Sequence, residues 1–325
     1  MAETFRWGVI GAGRIAQKFA RDMQAVEGSE IYAVASRSGA QEFVKLFKPR
    51  VVYDSYPELA EDPHVDGLYI ATTHNFHFEN ARLCLQAGKP VLCEKPLTVN
   101  AKQTEALVQL SQKNQVFLME ALWSRYLPLY QVVRELLNEN EIGEVLALQS
   151  TFCIRANMDE KKRWLSPQLA GGTLLDLGIY PIAVSQWVLG ENPVGVQSQA
   201  VLSSTGVDIL LSANLQYPSG VISQFTSSFM HKARNDLTIH GSKGNIILKE
   251  PFWGATTAVL EVGGQQRVFQ EPFRSQGFEY QIEEAVRCIR EGELESPRMS
   301  HADTLANMRL MDTIREQVGV KYPFE

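Results

Sequence analysis

The chain has 325 residues, more than one hydrophobic core usually serves, so two domains are expected. Its formal net charge is −6 and its Lys and Arg residues are scattered, with no basic stripe interleaved with aromatics; nucleic acid and anionic membranes are excluded as expected partners, and small molecules remain. No apolar run approaches the ~20 residues that cross a bilayer, and a glycine-rich segment starting by Gly8 leaves no room for a signal peptide, so a cytoplasmic protein is expected. Cys84, Cys93, Cys153 and Cys288 lie far apart without zinc-ligand spacing, which reads as reduced core thiols and no metal.

In chain order, short apolar runs at Phe5–Ile10, Glu30–Ala35, Gly67–Thr72, Pro90–Glu94 and Val116–Met119 alternate with amphipathic helical patterns, the βαβ rhythm of a parallel sheet covered on both faces. The last of the intervening helices has clear signals: Asn100 as N-cap, Gln103 at the capping-box position, Ala106, Leu107 and Leu110 at helical spacing, and an end near Asn114. After about Glu120 longer strands follow in series, at Val145–Phe152, Gly195–Ser203, Asp208–Tyr217 and Gly220–Met230. Turn signals at Pro218-Ser219-Gly220 and Gly263-Gly264 indicate hairpins, and helices at Glu279–Arg290 and Ala302–Val318 close the chain. The expected fold is therefore α/β: a Rossmann doubly wound parallel sheet over residues 1–120, then an α+β domain with an open, mainly antiparallel sheet over 121–325.

Gly11-Ala12-Gly13-Arg14-Ile15-Ala16 follows a strand and opens a helix, the context in which a G-x-G-x-x-G/A pattern points to a dinucleotide rather than to a bare turn. Gly11 permits the tight turn, Gly13 lets backbone approach a pyrophosphate, Ala16 allows close packing, and the first turn at Arg14 and Ile15 offers unpaired N–H groups. An NAD site places a carboxylate at the end of the second strand, yet the chain there reads Ala35-Ser36-Arg37-Ser38. Ser36 and Arg37 suit a 2′-phosphate instead, because a guanidinium forms paired charge-assisted hydrogen bonds with phosphate oxygens. NADP is expected rather than NAD; the competing reading leaves Arg37 as a solvated loop charge.

Glu94-Lys95-Pro96 ends the expected strand Pro90–Glu94, where open α/β sheets hold their ligands, so Lys95 is in place to reach a nicotinamide and exchange a proton with substrate. Further on, Gly171-Gly172-Thr173 leads into Leu174 to Pro181, where Asp176 and Tyr180 share a helical face at i, i+4 spacing. They read either as substrate ligands or as a capping Asp and a core Tyr, and Pro181 signals a late helix start or a kink.

Gly11 to Ala16, Thr72 to His77, Ala87 to Pro96 and Gly171 to Tyr180 resemble the corresponding motifs of the glucose-fructose oxidoreductase/inositol dehydrogenase (Gfo/Idh/MocA) family, nearly end to end. Met119 to Trp123, Asp176 to Tyr180, and Gly241-Ser242-Lys243-Gly244 before Pro251-Phe252-Trp253 resemble its dimeric dihydrodiol dehydrogenase and anhydrofructose reductase branch. The resemblance implies an NADP-dependent oxidoreductase acting on a sugar or diol, with substrate held over the nicotinamide between the two domains and a homodimer formed through the second domain's sheet. Lys95 would be the proton donor or acceptor, Asp176 and Tyr180 would hold substrate, and Thr72 and Glu94 would line the cofactor site. This chain reads Thr72-Thr73-His74 where the family has Thr-Pro-Asn, and Tyr180 where the family has His. His74 and His77 either contact the cofactor or cap the next helix, and Trp164 either stacks near the nicotinamide or packs. The competing functions are a glycosidase that uses a tightly bound dinucleotide as a redox catalyst, and a non-enzymatic NADP-responsive binding protein with no use for Lys95, Asp176 and Tyr180. A methyltransferase using the glycine motif would lack its acidic ribose ligand.

Overall fold

A computed structural model describes residues 3–37 and 39–325; Ser38, expected beside Arg37, lies outside the described residues. The chain divides into two compact units, one of residues 1–126 and 273–305, the other of 127–272 and 306–325.

In the first unit, β1 (Phe5–Ile10), α1 (Arg14–Met23), β2 (Ser29–Ala35), α2 (Gln41–Phe47), β3 (Val51–Tyr53), α3 (Tyr56–Glu61), β4 (Gly67–Ile70), α4 (His77–Gln86), β5 (Val91–Glu94), α5 (Ala101–Asn114) and β6 (Leu118–Ala121) succeed one another. The six strands pair in the order β3-β2-β1-β4-β5-β6, all parallel. Every residue of β4, β5 and β6 is buried, as a strand covered on both faces requires. Because β1 lies between β2 and β4, the chain reverses direction across the sheet there, and the carboxyl ends of β1 and β4 flank the switch point at which such sheets bind ligands.

The first expected strand coincides with β1, and the α5 signals hold: Asn100 Oδ1 accepts from the Gln103 N–H at 2.9 Å and the helix ends at Asn114. The reciprocal bond of Gln103 goes to the Val99 N–H at 3.4 Å, one residue before the cap. β6 begins at Leu118, two residues after the expected start, and β3 was not expected at all.

The division at residue 120 is simpler than the one observed, because Phe273–Leu305, which includes α8 (Glu279–Arg290), belongs to the first unit. Asp22, fully buried on α1, explains this: its carboxylate accepts from Ser275 Oγ (2.7 Å), the Gln276 N–H (3.0 Å) and the Phe278 N–H (2.8 Å), and pairs with Lys18 (2.9 Å). The returning segment also donates from His301 Nε2 to Leu118 O, 2.8 Å away.

The second unit contains α6 (Pro128–Asn138), β7 (Val145–Cys153), α7 (Ile179–Leu189), β8 (Gly195–Leu202), β9 (Asp208–Gln216), β10 (Ile222–Ser228), β11 (Leu237–Gly241), β12 (Gly244–Leu248), β13 (Thr257–Val262) and β14 (Gln265–Gln270). Helix α9 (His301–Val318) supplies its residues from Ala306 onward. The eight strands run in the order β14-β13-β12-β11-β7-β10-β9-β8, antiparallel except for β7 and β10. Gly263 and Gly264 both take positive φ (59° and 77°) in the β13–β14 hairpin, the twist-matched turn their sequence indicated. Strands β9 and β10 alternate cleanly: Leu211, Ala213, Leu215 and Phe225 are buried, while the opposite face carries a polar ladder in which Gln224 bonds to both Asn214 and Gln149, and Ser212 to Thr226. The four cysteines are free and buried. Among the described residues, no helix is long and apolar enough to cross a membrane.

Candidate active site

Apart from Trp164, which is on the second unit, the residues expected to hold a cofactor lie on the first unit at the carboxyl ends of β1, β2, β4 and β5. Gly11 has φ +92°, and a Cβ there would lie 2.9 Å from Ala71 O, so both the left-handed turn and the close approach of β1 to β4 require glycine. At Gly13 an added Cβ would meet, among the described residues beyond its chain neighbours, no atom within 4 Å; the bare backbone faces open space. Gly13 is also the N-cap of α1 and gives it no side-chain cap, so the first N–H groups, at the exposed Arg14 and Ile15, are ones an anion could meet. Ala16 is fully buried against the sheet, as close packing of α1 requires.

At the end of β2, Arg37 is exposed, yet its guanidinium lies 5.0 Å from the Tyr56 ring centroid and 5.8 Å from that of Phe76. Two aromatic rings therefore hold the cation in one region, which a solvated loop charge would not need. Ser36 stands half-buried beside it. An uncapped helix start at a glycine with open space beside it, after β1, and an aromatic-held guanidinium after the adjacent β2 fit a dinucleotide.

The loop after β4 is braced rather than open. His77 is fully buried, with Nδ1 2.8 Å from Pro96 O and Nε2 3.1 Å from Thr72 O, so its ring ties the segment after β4 to the segment after β5. The Thr72 hydroxyl accepts from Asn80 Nδ2 at 3.1 Å, and His74 is buried with its ring 5.7 Å from that of His77. His77 thus reaches the candidate site through backbone carbonyls, at the first position of α4.

At the end of β5, Glu94 is buried and accepts from the Tyr69 hydroxyl at 2.5 Å; burial raises its pKa, and the Tyr69 bond and the Lys95 charge act against that. Lys95 is half-buried and leads into a cis peptide bond with Pro96. Beside it on β6, Glu120 pairs in register with Cys93 and accepts from the Leu97 N–H at 2.9 Å. Burial pushes the Glu120 pKa up to about 7, opposed by the Leu97 N–H, the Thr304 hydroxyl and the charges of Arg125 and Lys95. Two buried carboxyl groups therefore accompany Lys95.

On the second unit, Leu174–Gly178 forms a π turn, with the Ile179 N–H reaching back five residues to Leu174 O, and α7 continues from it. Pro181 accounts for the wide turn: it has no N–H to donate and its ring would clash with the carbonyl four residues earlier in a regular helix. The expected late start is thus an early π turn. Asp176, on that turn, pairs through its carboxylate with Arg163, whose Nη2 lies 3.1 Å from Oδ2 and 3.4 Å from Oδ1. Tyr180 is buried among aromatic rings, 5.6 Å from Phe152 and 6.4 Å from Trp253, which stack on each other at 3.3 Å and 9°. The indole N–H of Trp164 donates to Asn157 O at 2.9 Å, which commits that edge of the ring to its own loop.

The chain matches the sequence profile of the "Oxidoreductase family, NAD-binding Rossmann fold" over residues 5–122 and that of the "GFO/IDH/MocA C-terminal domain" over residues 130–247. It belongs to the GFO/IDH/MocA oxidoreductase family. Like that family it is an NAD(P)-dependent dehydrogenase or reductase. Among curated proteins it is 36% identical over 330 residues to the trans-1,2-dihydrobenzene-1,2-diol dehydrogenase of Danio rerio, with 98% of each chain covered. The Homo sapiens enzyme of the same name is 34% identical over 333 residues at the same coverage. Among solved structures, a 3-ketoreductase from Actinomadura kijaniata in complex with NADP and TDP-benzene superimposes with a TM-score of 0.87 at 28% identity, covering 97% of this chain and 98% of that one.

Glu120, Arg163 and Asp208 belong in any account of these sites and were not singled out as site residues from the sequence. Glu120 could have been found as an acid at the end of an otherwise apolar strand. Arg163 lies in the basic run Lys161-Lys162-Arg163 shortly before the double glycine, but no periodicity joins it to Asp176 thirteen residues on.

Proposed function

We propose that this oxidoreductase uses NADP to interconvert a carbinol and a carbonyl carbon in a sugar-like or cyclic diol substrate. The observation that carries the cofactor choice is Arg37 between Tyr56 and Phe76 at a strand end without a carboxylate. Support for the substrate class comes from the names of the full-length relatives and from a carboxylate and a phenol, Asp176 and Tyr180, on one helical segment.

In this reading Gly11, Gly13 and the first turn of α1 hold the pyrophosphate, Ser36 and Arg37 the 2′-phosphate, and Thr72 and Glu94 the wall of the nicotinamide end. When bound, the dinucleotide supplies or takes the hydride. Lys95 gives its ammonium proton to the developing alkoxide in the reductive direction, which closes the charge balance on substrate, and regains a proton from solvent; the oxidative direction is the reverse. Asp176, fixed by Arg163, accepts from a substrate hydroxyl and so aligns the reacting carbon, and Tyr180 borders it. Buried free thiols support a reducing, cytoplasmic setting, and the polar ladder on the open sheet supplies the face for a homodimer. That face is polar rather than the apolar one a sheet dimer first suggests.

Replacing Lys95 with Met, with trans-1,2-dihydrobenzene-1,2-diol and NADP as the assay pair, is expected to lower kcat by about 10²–10⁴-fold while the NADPH dissociation constant changes less than about threefold. Turnover close to the parent value would remove Lys95 from the chemistry. Hydrolysis of a nitrophenyl glycoside with no net change in reduced cofactor would favour the glycosidase instead.

A further inference from the structure

The double glycine before the π turn is held on both sides by buried groups from distant parts of the sequence. Gly172 has φ +114°, and a Cβ there would fall 2.2 Å from Asp208 Oδ1; at Gly171 it would fall 2.7 Å from Trp164 O. The backbone is therefore pressed between a carboxylate and the carbonyl of the residue next to Arg163. Asp208, 1% exposed at the start of β9, accepts through Oδ2 from the Thr173 hydroxyl and the Leu174 N–H, both at 2.7 Å. Ser227 on β10 donates to Thr173 at 3.1 Å. From the other side, the buried Tyr322 hydroxyl donates to Gly171 O at 2.7 Å, and the Gly172 N–H donates to Trp164 O at 2.9 Å.

Tyr322 is itself fixed. Arg315 lies 4.9 Å from its ring centroid and is paired with Glu325 and Asp312, both at 2.8 Å. These contacts form one continuous chain, from the segment after α9 through Gly171 and Trp164 to Arg163, and from β9 through Leu174 into the turn that bears Asp176. Burial raises the pKa of Tyr322 well above its ordinary value, so its hydroxyl keeps the proton it donates to Gly171 O; burial also raises that of Asp208, opposed by the Thr173 hydroxyl and the Leu174 N–H from which its carboxylate accepts.

We infer that Asp208 and Tyr322 are positioning residues for the Arg163–Asp176 pair, so that the segment following α9 helps to shape the second unit's substrate-binding turn. This rests on the reading of Asp176 as a substrate ligand. A structural anchor alone would stabilise the unit generally; a positioning pair acts on one segment and on substrate affinity.

The test is hydrogen exchange on Tyr322→Phe and, separately, Asp208→Asn, with the full chain, followed by steady-state kinetics with trans-1,2-dihydrobenzene-1,2-diol and NADP. Amides of residues 171–176 are expected to exchange about tenfold faster in either variant while the rest of the second unit keeps its protection. KM is expected to rise about tenfold with kcat within about threefold, and NADPH binding is expected to be unaltered. Unchanged exchange at 171–176, exchange raised uniformly across the unit, or faster local exchange with KM unmoved would each overturn the inference. If Asp208→Asn fails to fold, Tyr322→Phe, which removes one hydroxyl, still decides it. A parent enzyme that oxidises no diol or sugar would count against the proposed function, whereas the exchange data would still show whether the anchor exists.

Discussion

Removing the Arg37 guanidinium should convert cofactor preference without disturbing the fold. The side chain is exposed, its aromatic neighbours are Tyr56 and Phe76, and it takes no part in the buried core, so Arg37→Ala is expected to move Tm by no more than about 2 °C. A hydrogen bond to a charged group contributes about 1.5–3 kcal/mol, and because this site is open to solvent the low end applies to each of two parallel bonds. Taken together they contribute about 2–3 kcal/mol, and with tenfold per 1.4 kcal/mol the dissociation constant for NADPH should rise about 30- to 150-fold. NADH carries no 2′-phosphate and should weaken less than about threefold. Arg37→Lys should fall between, since an ammonium keeps the charge and loses the planar fork. Titration of each protein with both reduced cofactors, followed by Trp fluorescence at two salt concentrations, measures all of this. Added salt should narrow the parent's NADPH preference, because exposed charges are screened over about 8–10 Å. Equal weakening of NADPH and NADH, or no change in either, would refute the argument that Arg37 reads the 2′-phosphate.

Glu120 gives a pH prediction. Its folded pKa of about 7 lies above the ordinary 4.5, so the folded chain binds this proton more tightly than the unfolded chain does. The stabilisation from that proton is fully present below about pH 4.5 and is lost as pH rises to about 7. Glu120→Gln should flatten the fall in Tm between pH 5 and pH 8; a fall as steep as the parent's in paired melts would show that another group is responsible. Gly11→Ala places a methyl 2.9 Å from Ala71 O at a φ of +92°, so it should destabilise the first unit by roughly 1–3 kcal/mol and abolish NADPH binding at micromolar protein. Chemical denaturation and cofactor titration check the two effects separately, and a variant with parent affinity would show that β1 and β4 separate more easily than their spacing implies.

What the sequence made legible was local. Gly11 to Ala16 and Asn100 with Gln103 work through bonds and steric limits within a few residues, so their pattern carries their structure. The 12-residue α8 was equally readable, since its apolar spacing is unbroken from Glu279 to Arg290. β3 was not: three residues are too short for any period to register, and pairing with β2 is what makes them a strand. The same reason hid the membership of Phe273–Leu305. Its tie to the first unit runs through Asp22, more than 250 positions away, which in sequence is one acid on an amphipathic helix. Among the proposed site residues, Lys95 and Arg37 announced themselves by standing at strand ends. Arg163, Asp208 and Tyr322 did not, because their meaning lies in partners that only the fold supplies; Glu120 carried the strand-end signal, as an acid closing an apolar run.

The two units meet the same physical difficulty by the same means. A residue at a strand end or on a loop can reach a ligand only if the backbone beneath it is held, and loop backbone has no ladder of its own to hold it. In the first unit a buried imidazole joins the carbonyls of Thr72 and Pro96, and a buried carboxylate holds the Leu97 N–H, so the segment carrying Lys95 is tied on both sides. In the second, Asp208 and Tyr322 do this for the segment before Asp176. Each brace uses a polar group taken out of water, which destabilises the fold unless its hydrogen bonds are made, and those bonds need the neighbouring segment in place. Reaching geometry and local stability are therefore coupled at both places. Substitutions at His77, Glu120, Asp208 and Tyr322 should consequently show loss of activity and faster local exchange together, whereas substitutions at Arg37, which no buried bond supports, should change cofactor affinity alone.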